Sequence, residues 1–185
     1  YVYSGSDKRK FKETDNIKPK ELLGLSKFIS ENIFKYLSSN SKIKVLSLRL
    51  FTVYGKGSNP RQIIPILINK FKNESNKISL NNSDLKRDFI HIDDVTHIFL
   101  KSLNKVISGK NRFEVVNVGT GKSVSINDLV KILTNLLNIQ AKVTYSDKLS
   151  NIKGDISHYC DNTKLIKYYN YLPKLDIYKG LKKTI

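Results

Sequence analysis

Two residue periodicities alternate along this chain, and that alternation sharply limits the folds open to it. Across residues 20–38, Leu22, Leu25, Phe28, Ile29, Ile33, Phe34 and Leu37 recur at three- and four-residue spacing, which predicts a long helix with one apolar face. Asp15 and Pro19 precede it, as suits a helix start. Residues 44–51, with Val45, Leu46, Leu48 and Leu50, form a run short enough for a largely buried strand. The alternation then repeats. Pro60 opens a helix over 63–73; a strand is expected at 77–80 and another at 87–92; Asp93 and Asp94 cap a helix to about residue 103. A strand at 113–118 is followed by a helix to about residue 137, capped by Ser125 with Asn127 and Asp128 in its first turn. A strand at 141–145, a short helix at 162–168 and a terminal helix at 177–184 after Pro173 complete the series, and residues 1–3 read as the end of a buried strand. Strands separated by helices predict an α/β chain with a mainly parallel sheet.

Composition sets the bounds. A chain of 185 residues with 39% hydrophobic residues can bury a core of its own. It opens at Tyr1 within an apolar run and contains no methionine, so a piece of a longer protein is expected. No stretch approaches the roughly 18 apolar residues of a membrane span, and the first residues do not resemble a signal peptide; a cytoplasmic setting is expected. The lone Cys160 has no cysteine to pair with and is expected to act as a small hydrophobe. His91, His97 and His158 lack metal-ligand spacing. The net charge of +17 comes from lysines spread over nearly every segment, unlike the concentrated basic face of a nucleic-acid binder. Nucleic acid is therefore an unexpected partner, whereas a dispersed positive field attracts small anions such as nucleoside diphosphates.

Gly119-Thr120-Gly121-Lys122 invites a phosphate-loop reading, because glycine-rich turns before helices present N–H groups to anions. The spacing fails: the upstream glycine such a loop requires is Val116. A strand-to-helix turn is the expectation. No Gly-x-Gly-x-x-Gly run for a dinucleotide is present.

Several segments, in order, resemble the C-terminal portion of the extended short-chain dehydrogenases, the nucleotide-sugar epimerase/dehydratase family. Residues 1–6, Tyr-Val-Tyr-Ser-Gly-Ser, resemble the family's strand ending in a serine or threonine, and residues 23–27, Leu-Gly-Leu-Ser-Lys, resemble its Tyr-x-x-Ser-Lys, with Glu31 shortly after. Residues 48–55, Leu-Arg-Leu-Phe-Thr-Val-Tyr-Gly, are similar to its Leu-Arg-x-x-Asn-Val-Tyr-Gly. Residues 87–95, Arg-Asp-Phe-Ile-His-Ile-Asp-Asp-Val, match its Arg-Asp-Phe-x-x-Val-Asp-Asp-Val, and residues 117–121 match Asn-x-Gly-x-Gly. Gly154-Asp155, Asp161, Lys164, Leu172-Pro173 and Gly180-Leu181 extend the likeness to the end of the chain.

The resemblance implies a fold, a site and partners. The fold would be the C-terminal part of a Rossmann-like doubly wound parallel sheet plus a smaller mixed α/β substrate-binding region. Residues 1–55 would belong to the nucleotide-binding side and 56–185 mainly to the substrate region, with about 87–120 returning to the first. NAD or NADP would be the cofactor, its pyrophosphate loop lying outside this chain. The substrate would be a nucleoside-diphosphate sugar whose hydroxyl is oxidised, transiently or for good, and the parent protein would form a homodimer. Ser6 would hydrogen-bond the substrate oxygen; Lys27 and Phe51 would face the cofactor; Thr52, Arg61, Gln62, Arg87 and Asp155 would contact the substrate. Thr52 stands where the family usually has asparagine, and Ile152 where an arginine is common. The largest departure is Leu23. A residue four positions before a helical lysine shares its face, and in the family a tyrosine there gives and takes the substrate proton. Leucine can do neither. The alternative implied is a catalytically impaired nucleotide-sugar-binding homologue.

Overall fold

The computed structural model describes residues 2–3, 10–73, 77–81, 85–140, 142–146 and 157–185. The elements run α1 (Leu22–Asn40), β1 (Val45–Leu50), β2 (Thr52–Tyr54), α2 (Ile63–Asn73), β3 (Lys77–Asn81), β4 (Lys86–Arg87), β5 (Phe89–His91), α3 (Ile92–Ser108), β6 (Phe113–Val118), β7 (Val124–Ser125), α4 (Ile126–Leu137), β8 (Lys142–Ser146), β9 (Ser157–His158), α5 (Thr163–Tyr169) and α6 (Ile177–Thr184). Strand pairing is mainly parallel: β1 with β6, β2 with β5, β3 with β8, and β4 with β9. Only β4–β7 is antiparallel among the described pairs. The chain is an α/β protein.

Alternation along β1 explains why helices cover both faces of the β1–β6 pair. Successive strand side chains point to opposite sides. Leu46 and Leu48, with Val116 and Val118 of β6, join Ile98 of α3 and Leu165 and Tyr169 of α5 in one apolar cluster. Ser47 and Arg49 point the other way, and both donate hydrogen bonds to Glu31 of α1. A second cluster joins Ile64, Leu67 and Phe71 of α2 to Leu129, Val130 and Leu133 of α4, with Tyr54, Phe89 and Leu181.

Local sequence signals account for several boundaries. The Ser125 hydroxyl accepts from the Asp128 N–H while the Asp128 carboxylate accepts from the Ser125 N–H, a capping box that fixes the start of α4. Asn138, left-handed at φ 53°, ends that helix.

Three expectations are corrected. The strand expected over 87–92 is two strands broken at Asp88, because Asp88 is turned wholly inward. The cap of α3 is not Asp93 or Asp94 but His91, whose Nδ1 accepts from the Asp93 N–H. Both aspartates lie inside the first turn, where they hold the C-terminal segment: Asp93 pairs with Lys183, and Asp94 accepts from the Tyr171 hydroxyl and the Lys174 and Leu175 N–H groups. Val2 and Tyr3 lie outside any ladder, Tyr1 being outside the described residues.

The apolar face predicted for α1 is present but largely uncovered. Leu22 is 81% exposed, Ile33 53% and Phe34 51%, and the residues buried in that helix are Gly24 and Ser38. A close approach lies elsewhere, where α6 meets β2. A β-carbon on Gly180 would overlap the buried Tyr54 hydroxyl, so Gly180→Ala forces two elements apart. It is expected to lower stability by about 1–3 kcal/mol, the range for overpacking, read by urea denaturation; an unchanged midpoint would show that α6 shifts freely.

Candidate functional site

In open α/β sheets the ligand crevice lies beyond the carboxyl ends of the parallel strands. Here the carboxyl ends of β1, β4 and β6 meet the start of β2, the β4–β5 break and the turn after β6, and Asp88 joins them. Its main-chain N–H donates to the His158 carbonyl of β9 at 2.9 Å, and its carbonyl accepts from the Thr52 N–H of β2 at 2.9 Å. Its side chain, 0% exposed, points into the turn at residues 119–121. One carboxylate oxygen accepts from the Thr120 N–H at 2.8 Å and hydroxyl at 2.6 Å; the other accepts from the Gly121 N–H at 2.9 Å and the Cys160 N–H at 3.2 Å.

The glycines follow from that arrangement. A β-carbon at Gly119 would come within 2.7 Å of both the Asp88 carboxylate and the Cys160 sulfur. Gly121 takes φ +73°, which suits a residue without a side chain. Burial, with the Asp88 carboxylate next to it, pushes the Cys160 thiol far up, so it stays protonated.

The expected site residues are placed unevenly. Thr52, half-buried on β2, and Arg87, half-buried on β4, are tied into one frame through Asp88. The Arg87 Nη1 donates to the Lys86 carbonyl at 2.9 Å. Arg61 and Gln62 are exposed in the turn before α2; the Arg61 N–H donates to the Asn59 side-chain oxygen and the Gln62 N–H to the Asn59 carbonyl. Phe51 is half-buried, its ring 6.2 Å from Tyr3 and 5.4 Å from His158. Lys27 is exposed on α1, and Leu23, one turn earlier, is 48% exposed. Ser6 and Asp155, with Ile152, lie outside the described residues.

Behind the site stands a polar cluster whose residues the sequence showed without their roles. Arg49 donates its Nε to one Glu31 oxygen at 3.0 Å and its Nη2 to the other at 2.6 Å, while Nη1 reaches the Tyr3 hydroxyl at 2.6 Å and the Glu13 carbonyl at 3.1 Å. The Tyr3 hydroxyl in turn donates to the Asn117 side-chain oxygen at 2.7 Å. Burial pushes the Tyr3 phenol up although Arg49 pulls the other way. This cluster fixes α1, and so Leu23 and Lys27, against the β1–β6 pair.

Among the described residues no group of His, Cys, Asp or Glu is arranged to hold a metal ion. No described helix is long and apolar enough to cross a membrane.

Comparison with known proteins places this geometry in context. Residues 1–119 match the model of the NAD dependent epimerase/dehydratase family. The dTDP-4-dehydro-6-deoxyglucose reductase of Escherichia coli is 28% identical over 188 residues, covering 100% of this chain and 57% of that protein. A putative UDP-glucose 4-epimerase of Methanocaldococcus jannaschii is 29% identical over 94% of this chain and 55% of its own length. The structure of MoeE5 in complex with UDP-glucuronic acid and NAD superposes with a TM-score of 0.83 at 26% identity, over 99% of this chain and 60% of that one. The chain thus spans little more than half the length of the proteins it matches.

Proposed function

Because the chain belongs to the NAD-dependent epimerase/dehydratase family, we propose that it is the substrate-binding portion of a longer NAD(P)-dependent enzyme acting on a nucleoside-diphosphate sugar. The parent would oxidise a sugar hydroxyl, transiently or for good, in an epimerase or dehydratase cycle. The observation that carries this reading is the frame around Asp88, which joins Arg87, at the carboxyl end of β4, to Thr52, just past the carboxyl end of β1. A guanidinium there offers forked donors suited to a diphosphate. The names of the relatives agree with the substrate class.

The described residues fit the substrate side better than the dinucleotide. Lys27 is exposed and free to reach a ribose, and Phe51 supplies a half-buried ring nearer the strand ends. The glycine-rich turn at 119–121, by contrast, already gives its Thr120 and Gly121 N–H groups to Asp88 and cannot cradle a pyrophosphate. NAD or NADP, when bound, accepts the hydride; its pyrophosphate would be held by segments outside this chain. Residues 1–55 and about 87–120 would form the nucleotide-binding side and the rest of 56–185 the substrate region. Ser6 would hydrogen-bond the reacting oxygen, and Arg61, Gln62 and Asp155 would close over the nucleotide. The uncovered apolar face of α1 supports a homodimer of the parent through that helix. A cytoplasmic setting is part of this proposal.

A second reading has one specific observation in its favour. Leu23 leaves Lys27 without a phenol to tune, so the parent would bind nucleotide sugars and turn them over slowly or not at all.

Equilibrium titration of the chain with UDP, dTDP and CDP tests the shared core of both readings. At least one nucleotide is expected to bind. Arg87→Ala should weaken it about tenfold or more, the loss of a charge-assisted hydrogen bond or two, and Arg87→Lys should restore part. Binding of none of them, or indifference to Arg87→Ala, would remove Arg87 as the diphosphate contact.

A further inference from the structure

The turn at 119–121 is built like an anion receptor, and the anion it holds is a side chain of the same chain. Successive N–H groups of Thr120 and Gly121 point to one spot, as in the nests that bind phosphate. The Thr120 hydroxyl and the Cys160 N–H converge on it from either side. All four groups are used as donors, so the occupant must be an acceptor at both ends; an ionised carboxylate meets that demand and an amide does not.

The position of this internal anion matters more than its burial. Neighbouring residues of extended chain point to opposite sides, so the bonds that draw Asp88 inward turn Arg87 outward. The same residue's main chain holds Thr52 of β2 on one side and His158 of β9 on the other. Cys160, two residues beyond His158, receives its own bond from the carboxylate. Two segments carrying expected substrate contacts, with Thr52 and Arg87, therefore meet at one residue whose own place is fixed by its carboxylate.

We propose that Asp88 is a positioning residue for nucleotide-sugar binding: as the built-in anion of the 119–121 nest, it sets the Arg87, Thr52 and β9 segments in the relative places that a diphosphate requires. This rests on the functional reading above and adds to it a group that never touches substrate. Because the occupant is an anion held by geometry, a small carboxylate from solution can stand in for it. A residue that merely fills space in the core offers no such replacement.

Chemical rescue separates these roles. Asp88→Ala leaves a carboxylate-sized gap lined by donors, and its affinity for the nucleotide that wild type binds should fall at least tenfold. Acetate or formate at about 100 mM should recover most of that loss by mass action, leaving wild type unaffected. Asp88→Asn, which fills the gap with an amide, should be weak with or without the added carboxylate. A folded Asp88→Ala that binds as wild type does, or one whose loss no carboxylate repairs, overturns the proposal. Should Asp88→Ala not fold, Thr120→Val and Thr120→Ser decide. Thr120→Val removes one donor from the nest and should weaken binding several-fold, while Thr120→Ser should match wild type; equal affinity for the two overturns it. Absence of nucleotide binding by wild type itself would instead remove the functional reading, and this one with it.

Discussion

Replacing Arg49 with alanine is expected to cost about 3–5 kcal/mol of folding stability, the range seen when one partner of a buried ion pair is removed. The pair is enclosed, with side chains 9% and 14% exposed for Arg49 and Glu31. Its geometry is the forked one, two guanidinium nitrogens on two carboxylate oxygens. Without Arg49, Glu31 keeps only the Ser47 hydroxyl as a donor from β1, and the Tyr3 hydroxyl loses its cationic neighbour. For a chain of this size the loss corresponds to a fall in melting midpoint of roughly 10 °C or more. Arg49→Lys should recover part of it, since an ammonium keeps the charge but not the fork. Burial acts to raise the Glu31 pKa, but the hydrogen bonds from Arg49 and Ser47 outweigh it and hold the carboxyl below its ordinary value. Its stabilisation is thus complete above the ordinary carboxylate range and is lost as pH falls through the lowered value. Glu31→Gln should accordingly flatten the acid limb of the stability profile. A loss of less than about 1 kcal/mol in Arg49→Ala relative to wild type, measured by urea denaturation, would show that α1 is not anchored through this pair.

How far the sequence disclosed the structure depends on how local each signal is. The bounds of α2, β6 and α6 match their expected ranges, because periodicity and flanking residues lie within a few positions of the ends. Ser125 capped its helix as expected, since its partner Asp128 is three residues away. Asp88 is the opposite case. It interrupts what reads as one strand, and the donors that draw it inward stand 32, 33 and 72 residues further along the chain. The glycine-rich turn was legible as a possible anion cradle, and rejecting an external phosphate there was sound; what local spacing could not name was an internal occupant. His91 took the cap of α3 from two better-known capping residues because Asp93 and Asp94 are engaged by the C-terminal segment, some 80–90 residues away. The candidate site divides in the same way. The motifs singled out Thr52 and Arg87 one by one, whereas the Asp88 residue that joins their strands emerged only once the chain was folded.

Leu23 carries the largest functional consequence. It sits four residues before Lys27 on α1, on the same helical face, and both are exposed at the surface that the proposed parent would turn toward its substrate. A phenol at that position would exchange the proton of the sugar hydroxyl as hydride leaves, with the ammonium one turn away lowering its pKa. General acid–base groups of this kind contribute about 10²–10⁴-fold to rate. Two supports of the arrangement are in place: the Arg49–Glu31 pair fixes the helix, and Asp88 holds the turn at 119–121. Restoring the phenol should therefore restore rate without rebuilding the site. The direct measurement is the rate of nicotinamide reduction at 340 nm in the complete protein with NAD or NADP and a bound nucleotide sugar, for wild type against Leu23→Tyr. The account predicts a gain of about 100-fold or more in Leu23→Tyr, with nucleotide affinity unchanged. Equal, robust rates in the two proteins would contradict it, since another group would then be moving the proton.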